Sequence, residues 1–172
     1  KLLKRKRVNR MRNIHFGTVI QGTLRNEDLI PAFTGEIEYL SAGYLDADIA
    51  NLYYIAQETI DLYDQDSEVN EEIASEIVND LIDALNGYAP PMAYFGSLEG
   101  DGADFGWWID SNRITDMMHT AQETCNPEEK WITDCDCQST DCTDRHGYIL
   151  QVNDHGNTTL MDTDRNVIWS VV

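Results

Sequence analysis

Three groups of residues have types and spacings that could do chemistry. The first lies in "CNPEEKWITDCDCQSTDC", where Cys125, Cys135, Cys137 and Cys142 fall within eighteen residues and His146 follows four positions later. Thiolates and an imidazole are zinc ligands, so the segment could supply a zinc site. The spacing C-x9-C-x-C-x4-C lacks the C-x2-C knuckles of common zinc modules, however. Asp134, Asp136, Asp141 and Asp144 also disfavour thiolates there unless a cation compensates. Disulfides in an oxidising setting and reduced loop thiols are the alternatives, and all three readings stand open.

The second group is "YFGSLEGDGADFGWW", residues 94–108, with Glu99, Asp101 and Asp104 among four glycines. A phosphate cradle is excluded by the lack of a G-x4-G-K-[ST] or G-x-G-x-x-G frame and of any nearby Lys or Arg. A calcium loop is incomplete without the D-x-[DN]-x-[DN]-G frame. The remaining reading is a hairpin, "MAYF" and "FGWWI" as strands joined by "GSLEGDGAD". On that reading Glu99, Asp101 and Asp104 sit on an exposed loop whose glycines adopt positive φ.

The third group is a row of acids. Glu68, Glu72, Glu76, Asp80 and Asp83 recur at helical spacing, and Asp61, Asp64 and Asp66 precede them closely. Like charges at i,i+4 destabilise a helix by a few tenths of a kcal/mol per pair, and no Lys is interleaved here. Four residues of helix rise about 6 Å, the same order as charge spacing along a nucleic-acid strand. The row therefore reads as an acidic interaction face.

Charge over the whole chain points the same way. The formal net charge is −19, and seven of the twelve Lys and Arg residues lie in the first twelve positions, "KLLKRKRVNRMR". From Asn26 to Asn112 there are twenty Asp or Glu and no Lys, Arg or His. Self-repulsion of this size favours solubility and opposes compaction. It excludes direct nucleic-acid binding by the body, because phosphate binding needs Lys and Arg. An acidic host proteome is the plain explanation; a surface that imitates a polyanion and occupies a basic groove is the sharper one.

No nucleophilic constellation is visible. His15, His119, His146 and His155 are scattered, with no G-x-S-x-G or H-E-x-x-H context. "NDHGN", with Asp154 beside His155, reads as a tight turn. Trp107, Trp108, Trp131 and Trp169 read as core aromatics.

The elements that must position these groups are α+β. "IHFGTVIQGTL" reads as a first strand. Leu29, Ile30, Phe33, Ile37 and Leu40 mark a first helix, with Asn26 or Asp28 as its cap. Ile49, Leu52, Tyr53, Ala56, Ile60 and Tyr63 mark a second. A third is capped by Ser67 or Asn70, carries Ile73, Ile77, Leu81 and Leu85 inward, and stops at Gly87. "GYILQVN", "NTTLMD" and "NVIWSVV" read as a C-terminal β-meander. The expected fold is an antiparallel or mixed sheet with about three amphipathic helices on one face. Residues 1–12 are expected as a basic arm, with Met11 a candidate natural start, and 13–172 as a single acidic domain. No secretory h-region follows the arm, and no apolar run reaches the length of a membrane span, so a cytoplasmic protein is expected.

"LRNEDLIPAF", "LIDALNGYAPPMAYFGSLEGDGADFGWW" and "LQVNDHGNTTL…VIWSVV" resemble an uncharacterised family of small acidic proteins of bacteriophages, prophages and plasmids. The resemblance covers most of residues 22–172. It implies a mobile-element setting and carries no catalytic residue. This chain departs from it with Met92 where an aromatic is usual, Ser97-Leu98 where an Ala-His pair is usual, and the cysteine-rich segment 125–142.

Together these readings predict a non-enzymatic accessory protein that binds a host protein through a basic nucleic-acid-binding groove, without catalytic residues or an obligatory cofactor. A zinc-stabilised virion or scaffold component is the alternative, with the basic arm contacting nucleic acid or an acidic neighbour. A cation-dependent enzyme at the glycine-acid hairpin comes third.

Overall fold

Helices form where the apolar phase and a capping residue coincide. In a computed structural model, which describes residues 14–90, 92–110, 112–114, 122–123, 129–132, 148–153, 157–162 and 164–171, the clearest case is α3 (Glu71–Asn86). Asn70 caps it, its side-chain oxygen accepting from the backbone N–H of Glu72 at 3.0 Å and of Ile73 at 3.3 Å. Asp46 caps α2 (Ala47–Asp64) in the same way, accepting from Ile49 N–H at 3.1 Å. α1 (Asn26–Ser41) differs from expectation, since Arg25 occupies its N-cap position without a side-chain cap. Asn26 is diverted to α3 instead, donating to Glu71 Oε2 and Ser75 Oγ, while Asp28 accepts from Thr23 Oγ1.

The chain divides into two compact units, Lys1–Ile109 and Asp110–Val172, within the span expected as one domain. In the first, β1 (Gly17–Gln21), β2 (Ala93–Leu98) and β3 (Asp101–Ile109) form an antiparallel sheet in the order β1-β3-β2. All five expected core positions of α1 are buried. They meet Ala56 of α2, the α3 residues Ala74, Ile77, Val78, Leu81 and Leu85, and Phe95 and Trp107 from the sheet. The rings of Phe33 and Phe95 pack edge-on at 5.0 Å, and those of Phe95 and Trp107 at 4.9 Å. Ile73, expected in the stripe, is 53 % exposed.

Asn86, the last residue of α3, ties the helix to the sheet. Its side-chain oxygen accepts from Phe95 N–H at 3.0 Å, and its Nδ2 donates to Phe95 C=O at 2.8 Å and to Ile82 C=O at 2.9 Å. Gly106 lets β1 approach β3: a Cβ built there would stand 2.1 Å from Gly17 O.

The second unit carries the meander. β4 (Gln122–Glu123), β5 (Glu129–Ile132), β6 (Tyr148–Val152), β7 (Thr158–Met161) and β8 (Val167–Val171) pair in sequence order, every pair antiparallel. The α+β fold with a C-terminal meander is as expected; its strands form two sheets, β1 pairing with β3 across all three helices and the described meander strands pairing with one another. At the β7–β8 turn, burial opposes ionisation of Asp162. Hydrogen bonds from the Asn166 side chain and from the backbone N–H of Asn166 and Asp164 outweigh it, so its pKa is lowered.

Candidate interaction face and cleft

Helical phase puts the acids of α3 opposite its buried stripe, and the structure brings the predicted row to solvent. Glu68, Glu72, Glu76, Asp80 and Asp83 are all exposed, as are Asp61, Asp64 and Asp66 at the end of α2 and beyond it. The ion pairs among the described residues, Arg25–Glu27 and Arg113–Asp110, involve none of the eight. Among the described residues the sign of this face is uniform.

Glu71 stands apart from the row because it is engaged. It accepts from Tyr63 OH at 3.1 Å, linking α2 to α3, as well as from Asn26. Burial first, then the hydrogen bond to Glu71 and its charge, push the Tyr63 pKa up to about 12. The folded state therefore keeps the phenol protonated where the unfolded chain, at 10.0, begins to ionise. This stability contribution is fully present below about pH 10 and is lost as the pH rises towards about 12. Urea unfolding at about pH 9 and pH 11 should show a loss of stability that is smaller in Tyr63→Phe; equal losses would refute the assignment.

The glycine-acid segment is a hairpin, but a tighter one than expected. β2 runs to Leu98 and β3 starts at Asp101, so the connector is Glu99–Gly100 rather than residues 96–104. Gly100 alone of the segment's four glycines has positive φ, 92°. Glu99 and Asp101 are exposed. Asp104 is not an exposed loop residue: it lies in the central strand opposite Gln21 and is 8 % exposed. The ladder to β1 encloses it. Its Oδ2 accepts from Thr18 Oγ1 at 3.2 Å, and its Oδ1 has no hydrogen-bond partner. Two other glycines of the segment make backbone contacts. Trp108 Nε1 donates to Gly96 C=O at 2.9 Å, and Gly106 admits the β1 backbone.

A site the acidic pattern did not indicate lies where β1 meets α1. His15, Thr18, Val19, Glu36 and Tyr39 line an open cleft of about 350 Å³. Glu36 Oε1 accepts from the indole N–H of buried Trp107 at 2.9 Å, and His15 Nε2 lies 2.9 Å from Tyr39 OH. The only local signal for it was the i,i+3 spacing of Glu36 and Tyr39 on one helix face.

Cys125, Cys135, Cys137, Cys142 and His146 lie outside the described residues, as do the basic arm and the Asp154-His155 turn. Among the described residues, no group of three or more His, Cys, Asp or Glu side chains is placed to hold a metal ion. No described helix is long and apolar enough to cross a membrane. No family model, curated protein or solved structure matches the chain.

Proposed function

We propose that the protein is a non-catalytic accessory factor of a phage or other mobile element, acting in the bacterial cytoplasm. It presents a polyanion-like face to a basic nucleic-acid-binding groove on a host defence or replication protein. One observation carries this reading: eight carboxylates of α2, α3 and the turn between them are exposed, and no cation among the described residues pairs with any of them. A solvated helix face ordinarily mixes signs to relieve i,i+4 repulsion. Holding one sign destabilises the helix and gains complementarity to a basic surface, which speeds encounter and excludes acidic partners. The mobile-element setting comes from the sequence resemblance.

The test is capture from a bacterial host lysate at two salt concentrations. A nucleic-acid-handling protein should be recovered at low salt and released at high salt, because exposed charge pairs are screened over about 10 Å at 0.1 M. Glu72→Gln, Glu76→Gln and Asp80→Asn combined should abolish that capture. The same substitutions should leave the fold intact and slightly more stable, by a few tenths of a kcal/mol per relieved pair. Recovery of no such partner at low salt would sink the proposal.

A further inference from the structure

We infer that the cleft between β1 and α1 is a recognition site for the guanidinium group of an arginine side chain. The inference is independent of the α3 row, because it rests on different residues and a different ligand geometry.

The floor of the argument is Glu36. It is half-buried, and the Trp107 indole holds one of its oxygens, so the carboxylate is fixed before any ligand arrives. Oε2 has no donor among the described residues, and no described cation pairs with Glu36. One turn along the same helix face, Tyr39 contributes an aromatic ring. His15 steadies that ring through the contact to the phenol oxygen and through an edge-on packing at 5.8 Å. Thr18, on the facing strand, donates a hydrogen bond from its hydroxyl to Oδ2 of Asp104, whose carboxylate is buried and whose Oδ1 has no partner. The cleft thus has one fixed carboxylate, Glu36, in its wall.

Ligand chemistry follows by exclusion. An anion is repelled by the Glu36 carboxylate, and no Lys or Arg is among the described residues that line the cleft. A divalent cation is poorly served, because calcium takes six to eight oxygen ligands and a single carboxylate lines the cleft. A volume of about 350 Å³ suits a side chain or small molecule. Of the organic cations, guanidinium fits best: it is planar, weakly hydrated, able to stack on a tyrosine and to address a carboxylate with parallel N–H donors. An ammonium group is more strongly hydrated and lacks that plane.

The experiment titrates the ¹⁵N-labelled full chain with three short peptides that differ at one position, carrying arginine, lysine or citrulline between glycines. The Trp107 indole N–H resonance is the reporter, because its acceptor is the carboxylate the ligand would engage. The arginine peptide should shift it saturably. The lysine peptide should bind about threefold more weakly, the difference that ring stacking supplies. Citrulline, nearly isosteric but uncharged, should leave it unmoved. Glu36→Gln keeps an acceptor for the indole and should weaken arginine binding about tenfold. The Glu72→Gln, Glu76→Gln pair on α3 should change it less than about twofold, since neither residue lines the cleft and both are exposed, where salt screens charge. Equal binding of lysine or citrulline overturns the inference, as does an unaffected Glu36→Gln. An equal loss from the α3 pair would also overturn it, because the attraction would then be diffuse. The three-peptide comparison needs no variant, so a misfolded Glu36→Gln leaves it decisive. Failure of the lysate capture would leave these results standing.

Discussion

Gly106→Ala should destabilise the protein by about 3 kcal/mol, although it adds one methyl group. The new Cβ would stand 2.1 Å from Gly17 O and 2.9 Å from Thr18 Cα, and both are backbone atoms of the neighbouring strand. No rotamer change relieves such a clash; β1 must move away from β3 and loosen the pairing from Gly17 to Gln21. Gly102→Ala is the matched control, because nothing lies within 4 Å of a Cβ there and its φ is ordinary. Urea midpoints for the two variants should separate widely. A Gly106→Ala variant within about 0.5 kcal/mol of the parent would mean that β1 does not sit against β3 as described.

Trp107→Ala should cost about 3–5 kcal/mol, a large share of the ~5–15 kcal/mol that holds a typical domain folded. Trp107 is fully buried and packs against Phe95, which in turn packs against Phe33, so truncation opens a void at the centre of the aromatic cluster. It also removes the only described donor to Glu36, leaving a half-buried carboxylate without compensation. Trp107→Phe separates the two effects: the ring contact largely survives, the N–H does not, and the expected loss is about 1–2 kcal/mol. Denaturant unfolding of both variants checks the order. Equal losses would show that the ring packing contributes nothing, and a Trp107→Phe variant as stable as the parent would show that the indole–carboxylate bond contributes nothing.

What the sequence disclosed depended on whether the deciding forces were local. The five buried positions of α1 and the Asn70 cap of α3 follow from phase and from nearest neighbours in the chain, and both are where expected. Ile73 shows the limit of that method. A stripe stepped by four residues advances 400° per step against 360° per turn, so it drifts about 40° each time. Along Ile73, Ile77, Leu81 and Leu85 the first member rotates out of the core, and Ala74 and Val78 fill the face instead. Asp104 was hidden for a different reason. Its neighbours in sequence are loop formers, but its environment is set by pairing with β1, more than eighty residues earlier. The cleft is non-local in the same sense, since His15 reaches Tyr39 across 24 positions. The acidic row was legible throughout because exposure of charge on an amphipathic helix needs no partner.

The clamp at Asn86 has a consequence for chain connectivity. Because its side chain bonds both the N–H and the C=O of Phe95, the spacing of α3 and β2 is held by hydrogen bonds as well as by the intervening backbone. The connector at residues 87–92 is therefore not alone in setting that spacing. Lengthening it adds only about 0.6 kcal/mol of closure entropy per doubling. New chain ends opened there, as in a circular permutation, would leave α3 and β2 still joined side by side.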